Sequence, residues 1–242
     1  MKEYPTKLPF RRSTTLPWIV VILVAIYLSR KYNTCHLRMP ITYALLALSV
    51  GTMLQVQAWV PLDWALRHRR WFLPIFFVAI ALIFAVHFTR ANSPLKILSY
   101  LFFVLAMSII LSPLFHMASY QGVLQSSLFT VIALFLVLSI FSFWKPDWIQ
   151  LKWAPFLFIG LVALLLMRLS FWIWTPSLGT YRMAAYIGIL IFSAYVLYDT
   201  KRMMLRAQQC GRKYDYVTNL IGLFIDFMNL FANRMALSTT RH

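Results

Sequence analysis

Six acidic residues occur in the 242-residue chain, and four of them, Glu3, Asp63, Asp147 and Asp215, fall in the N-terminal tail or in polar breaks. The other two do not. Asp199 closes an apolar block, Met183–Tyr198, and Asp226 stands in the middle of another, Val217–Leu237. An ionisable side chain near the centre of a bilayer costs at least about 2.5–3.5 kcal/mol, which makes each a functional candidate by default. Asn219, Gly222, Asp226, Asn229 and Asn233 recur at helical spacing and share one face of the last block. Lipid cannot satisfy such a stripe, so it must face protein or water. Asp199 closes a similar stripe with Gly188, which permits close helix approach, and Tyr195, whose hydroxyl can bond a neighbour. The two blocks are consecutive and joined by a basic loop, so they are expected to pack antiparallel with Asp199 and Asp226 near one another.

Two carboxylates in a low-dielectric site cannot both stay charged cheaply and are expected to share a proton. Such a pair switches with pH. Deprotonated, it offers hard oxygen donors of the kind Ca²⁺ prefers; a nearby cationic side chain would instead lock it ionised. The alternative is that each carboxylate only bonds a neighbour and holds helices together. Gln121 and Gln125, four residues apart, either line the same polar path or serve as helix glue. Arg90, just after the block Trp71–Phe88, either reaches a carboxylate or snorkels to the interface. Arg168 reads as a second interfacial arginine. His87 and His116 have no second ligand at metal spacing. With no glycine-rich phosphate loop, nucleophile elbow or Cys/His cluster, no catalytic residue and no resident cofactor is expected.

The elements that carry these residues follow from composition. The chain is 61% hydrophobic and only 12% charged, with mean hydropathy +0.72, against about 25% charged for a soluble domain. That excludes an ordinary cytosolic enzyme, a disordered chain and a disulfide scaffold, and Cys35 and Cys210 read as unpaired thiols. Seven apolar blocks are long enough to cross a bilayer as helices: Met39–Val60, Trp71–Phe88, Leu95–Phe115, Gly122–Phe143, Trp153–Trp174, Met183–Tyr198 and Val217–Leu237. The breaks carry helix-stop chemistry, among them Pro61, Asn92-Ser93-Pro94, Lys145-Pro146-Asp147, Thr175-Pro176 and Gly211. Tryptophans such as Trp59, Trp71, Trp144 and Trp148 sit at block ends, where an aromatic belt belongs. No block alternates as a barrel strand would. The expected fold is therefore all-α, a polytopic bundle of seven transmembrane helices over residues 39–242. Residues 1–38 form a basic N-terminal segment with an extra apolar block, Leu16–Leu28, which either crosses or lies on the surface.

Charge bears on how the first block lies. Lys+Arg number 23 against 6 acids, giving +17. The basic residues fall in short runs between apolar blocks, the pattern of loop anchors at anionic headgroups such as cardiolipin rather than of a nucleic-acid surface. Keeping Leu16–Leu28 on the surface gives the sharper bias, with Lys2, Lys7, Arg11, Arg12, Arg30, Lys31, Arg38, Arg90, Lys96, Lys145, Lys152, Lys201, Arg202, Arg206, Arg212 and Lys213 on one side.

Two motifs also carry a resemblance. Phe192-Ser193-Ala194-Tyr195-Val196-Leu197-Tyr198-Asp199-Thr200 and Gly222-Leu223-Phe224-Ile225-Asp226-Phe227-Met228-Asn229-Leu230-Phe231 resemble the two closing helices of the transmembrane Bax inhibitor motif family. The likeness extends more loosely to about Met39, with Val123-Leu124-Gln125 early in the fourth helix and Arg90 near the arginine that ends the second. The resemblance implies a seven-helix bundle that leaks or exchanges Ca²⁺ under pH control. Asp199 and Asp226 would be sensor and gate, Arg90 a latch, and Tyr195, Gln125 and Asn229 pore-lining. Ca²⁺ would be the cargo rather than a firm metal site. The basicity, the block Leu16–Leu28 and Lys213-Tyr214-Asp215 are similar to the mitochondrial, growth-hormone-inducible branch, implying the mitochondrial inner membrane, with the ER or Golgi as the alternative. Arg234 within the final helix departs from the pattern.

Two other functions compete. A structural subunit of a larger membrane complex would borrow the fold and bind other membrane subunits. An intramembrane aspartyl protease would use the acid pair for catalysis. That enzyme class needs Gly-x-Gly-Asp, whereas Leu223-Phe224-Ile225 precedes Asp226 and no Pro-Ala-Leu follows.

Overall fold

Pro61, Pro94, Pro146 and Ser177 punctuate the chain where helices stop and start, and between them the apolar blocks are helical. The computed structural model describes residues 35–91, 93–173, 177–210 and 214–240; the block Leu16–Leu28 and the basic residues around it lie outside these. The helices are α1 (Arg38–Trp59), the short α2 (Leu62–Arg67), α3 (Phe72–Phe88), α4 (Pro94–Tyr120), α5 (Leu124–Trp144), α6 (Ala154–Ile173), α7 (Leu178–Gln208) and α8 (Tyr216–Thr239). Among the described residues no strand occurs. Six of these helices are long and apolar enough to cross a membrane; α3, with 17 residues, sits at the short end of the spanning range of about 17–25.

Local chemistry explains the boundaries. Val60, ahead of Pro61, is extended as a pre-proline residue must be. Its carbonyl accepts from the His116 ring at 2.6 Å, so His116 joins α1 to α4. Ser93 caps α4 and Ser177 caps α7 through backbone N–H groups three residues on. Pro113 lies inside α4 and leaves the Ile109 carbonyl without its helical donor. The Ser112 hydroxyl fills that place at 2.8 Å, and the helix runs on to Tyr120.

The most buried span is among the least apolar. The last helix, with its polar stripe, is the centre of the bundle: 72% of its most apolar window is buried, against 6% for the Pro146–Phe171 span. A helix that lipid cannot satisfy has to be wrapped by the others. Phe224 meets Tyr100 and Phe103 edge to face at 6.2 and 6.1 Å, and Phe227 meets Phe135 at 5.8 Å. Small hydroxyls tie the outer helices in, with Ser127 on Ser238 and Ser142 on the Leu197 carbonyl, each at 3.1 Å. The tryptophans at block ends are exposed, Trp59, Trp71, Trp144 and Trp148 among them.

Two expectations are corrected. The block ending at Tyr198 is not a helix end: α7 continues to Gln208, because Thr200, Met203 and Ala207 carry on a buried face while Lys201 reaches the Pro146 and Ile149 carbonyls and Arg202 is exposed. Cys35 and Cys210 are joined as a disulfide, with Cα atoms 5.6 Å apart, within the usual range. Fully buried Arg38 brings them together by donating to the carbonyls of Ala207, Gln209 and Cys210 at 3.1–3.4 Å. A cation among the last carbonyls of a helix also complements its dipole.

Basic residues tie the helix ends together. Arg38 meets the end of α7, Lys201 donates to the Pro146 and Ile149 carbonyls, and Lys96 pairs with Asp215. We call this the near end. Arg182, on the Thr240 carbonyl, marks the far end.

Candidate functional site

Two glycines set the distance between α7 and α8. A Cβ on Gly188 would stand 2.5 Å from Asn233 Oδ1, and one on Gly222 would stand 2.5 Å from Asp199 Oδ2. The same spacing separates Gly188 from Asp199 on α7 and Gly222 from Asn233 on α8, so the helices run antiparallel in one register. Each glycine is the hole that receives a polar side chain from the opposite helix.

This register delivers the acid pair. Asp199 lies over Gly222, one turn of α8 from Asp226, and the two carboxylates interact electrostatically. Their surroundings differ. Asp226 is buried at 3% exposure, and its Oδ2 has no hydrogen-bond partner among the described residues. Asp199 borders a cavity of about 350 Å³ at the near end, with Tyr195, His87, Arg202, Arg206, Asn219 and Gly222 in its wall. One acid therefore faces an opening while its neighbour is sealed behind it.

The asparagines of the α8 stripe are all engaged. Arg206 Nη1 donates to Asn219 Oδ1 at 3.0 Å, and Asn219 Nδ2 returns to the Asp215 carbonyl at 2.8 Å. Asn229 and Asn233 spend their amide N–H groups on the carbonyls of Ile225 and Asn229, at 2.9 and 2.7 Å. Asn233 Oδ1 accepts from Arg168 Nη2.

Of the residues singled out from the sequence, Asp199, Asp226, Asn219, Gly222 and Tyr195 come together around the cavity and behind it, with Asn229 and Asn233 continuing the stripe. Others do not join them. Arg90 is exposed beyond the end of α3 and is not in the cavity wall. Gln125 is exposed on α5, and Gln121 donates to the Thr239 carbonyl at 3.4 Å, a far-end helix tie. Arg168 turns inward to Asn233 instead of snorkelling, because that amide oxygen is within reach across Gly188. Sequence reading missed the cavity's cations. The signal was present: Arg202 and Arg206 follow Asp199 at three and seven residues, on its own helical face. His87 was seen but not placed; it borders the cavity, its Nδ1 on the Ile83 carbonyl at 2.9 Å. Among the described residues no group of three or more His, Cys, Asp or Glu is placed to hold a metal ion.

The sequence is also similar to known proteins. A family model described as inhibitor of apoptosis-promoting Bax1 matches residues 14–237. A Bax inhibitor 1 of Schizosaccharomyces pombe is 26% identical over 170 residues, 69% of this chain and 61% of that protein. A Bax inhibitor 1 of Oryza sativa subsp. japonica is 35% identical over 69 residues, 28% of this chain and 27% of that protein. The matched stretches thus span less than two thirds of either relative.

Proposed function

The chain belongs to the Bax inhibitor family, and from that premise we propose that it is a pH-sensitive pathway for Ca²⁺ or H⁺ whose gate is the pair Asp199 and Asp226. One observation carries the reading: a buried carboxylate oxygen of Asp226 without a hydrogen-bond partner among the described residues, one turn behind an aspartate that borders a cavity. A buried acid left unsatisfied is expensive as structure and useful as a site that a proton or cation fills. A cation entering the cavity meets Asp199 first. With both acids ionised, their oxygens form a hard donor set; a shared proton removes it. Arg202 and Arg206 at the cavity compete for Asp199 and set the resting state. No covalent chemistry is part of this reading. The basic near end supports a membrane rich in anionic lipid such as cardiolipin, and we extend the proposal to the mitochondrial inner membrane.

The test is Ca²⁺ flux into proteoliposomes as a function of pH. The wild-type chain is expected to conduct with a pH dependence that Asp199→Asn and Asp226→Asn each abolish; flux unchanged in both variants defeats the proposal.

A second reading, a structural subunit of a larger complex, draws on the outermost span, of which 6% is buried, leaving a broad face for a neighbouring subunit. Purification in mild detergent separates the two: a stable heteromeric complex supports the subunit, a lone chain with flux the pathway.

A further inference from the structure

The polar stripe of α8 is gripped in the same way at both ends. Asn219 and Asn233 stand seven residues to either side of Asp226, about 10 Å along the axis each way. Each presents its amide oxygen to an arginine of another helix: Asn219 to Arg206 of α7 and Asn233 to Arg168 of α6. The ends are not equivalent. At the near end the cavity reaches past Arg206 to Asp199. At the far end Asn233 is buried at 1% exposure, seated in the gap over Gly188 with its N–H on the Asn229 carbonyl.

Arg168 is an odd occupant of that place. It stands on the most peripheral span, yet its guanidinium points into the bundle, and among the described residues its hydrogen-bond partner is a neutral amide and no carboxylate. A charge drawn away from water to a neutral oxygen is poor glue, since the desolvation is not offset by an opposite charge. As a barrier it is well made. A fixed positive charge and a wedged amide close a narrow route to cations both sterically and electrostatically.

Resting on the reading of this stripe as a cation route, we propose that Arg168 and Asn233 form its far gate, shut in this structure while the near side stands open to Asp199. Opening breaks the Arg168–Asn233 hydrogen bond and withdraws the guanidinium toward the far interface, which a long arginine side chain can reach without helix movement. With the far gate open the stripe communicates with both ends of the bundle, as a gated cation leak requires.

The experiment uses the full chain with Asn229→Cys, a thiol placed between Asp226 and the gate, and a charged, membrane-impermeant maleimide under non-reducing conditions, where Cys35 and Cys210 are joined. Labelling is expected to be slow with Arg168 and Asn233 intact. It should rise at least about tenfold in Arg168→Gln, the population shift set by losing one charge-assisted hydrogen bond, and stay slow in Arg168→Lys. Met228→Cys, buried elsewhere on α8, reports unfolding; if Arg168→Gln exposes it, Asn233→Ala, which removes only the acceptor, takes its place. Equal labelling with and without the pair overturns the gate. Flux separates this from the parent reading: if Asp226→Asn abolishes flux while Arg168→Gln changes neither flux nor labelling, only the gate fails. If the aspartate variants leave flux untouched, the cation route itself fails, whatever the labelling.

Discussion

The carboxylate of Asp199 rests on the bare backbone of Gly222, where a Cβ would stand 2.5 Å from Oδ2. Glycine is needed there for space. Gly222→Ala is expected to push the Asp199 carboxylate aside while the helices stay packed, because the obstructing atom ends a movable side chain and alanine favours a helix by about 1 kcal/mol. The melting temperature in detergent should then change little while the pH profile of Ca²⁺ flux moves. Gly51→Ala is the control: it has open space around it and should leave the profile alone. A flux profile identical in Gly222→Ala and wild type would show that the seat of Asp199 has no part in the activity.

Lys96 and Asp215 bolt the near ends of α4 and α8 together, Nζ to Oδ2 at 2.5 Å, with Lys96 at 2% exposure and Asp215 at 22%. Asp215 has a second task, accepting from Thr218 N at 3.1 Å and Thr218 Oγ1 at 2.8 Å to cap α8. Breaking a buried pair from one side costs about 3–5 kcal/mol, and the exposed edge of Asp215 argues for the lower end. Asp215→Ala removes the cap as well, worth about 1 kcal/mol, and should be the more damaging change. Lys96→Met with Asp215→Asn should recover part of the loss, since no unpaired charge remains. A double-mutant cycle of unfolding free energies measures this; strict additivity would mean the two groups do not interact.

The spans were legible because bilayer thickness writes itself into block length, and the α8 stripe because lipid leaves polar residues nowhere else to face. Where α7 ends was not legible. Lys201, Arg202 and Arg206 read as loop, yet they are the outward and cavity-facing positions of a helix whose buried face, Thr200, Met203 and Ala207, is only three residues long. The Cys35–Cys210 bond was hidden by a sequence separation of 175. Arg168 was misjudged for a different reason: its position near a block end says interface, and only the gap over Gly188 shows that an acceptor waits inside.

Tyr214 lies between the last two spans, buried, with its hydroxyl 3.2 Å from Thr42 Oγ1. Burial pushes its phenol up to about 12, with the Thr42 hydrogen bond opposing the shift, against about 10 in an unfolded chain. The folded state thus keeps a proton that the unfolded state releases. The associated stability is fully present below pH 10 and is lost as pH climbs from there toward 12. The difference in tyrosinate absorbance between wild type and Tyr214→Phe should titrate in that upper range, before alkaline unfolding. A midpoint near 10 in the folded protein would show the phenol to be in water.

The Cys35–Cys210 bond and the Arg38 guanidinium act on the same short segment, the Ala207 carbonyl in the last turn of α7 and the two residues Gln209 and Cys210 just beyond it. A disulfide in a soluble domain contributes about 2–4 kcal/mol by restricting the unfolded chain, more for longer loops. Helices that stay in a bilayer keep much of their order on unfolding, so the lower part of that range applies here. Arg38→Ala, which strands three carbonyls in the near-end packing, is expected to destabilise at least as much as Cys35→Ser. Because either device alone still holds α7 to α1, the double change should cost more than the sum of the two. Reductant should lower the melting temperature of wild type and not of Cys35→Ser. In that variant Cys210, at an exposed position, should take up maleimide without prior reduction. Wild-type chain that labels equally before and after reduction would mean the staple is not formed. Arg206, one residue before Ala207, is held to the cavity by the same segment, so loosening the staple should also shift the pH dependence of flux. Stability and flux should therefore respond together to reductant in wild type and to neither addition nor removal of reductant in Cys35→Ser.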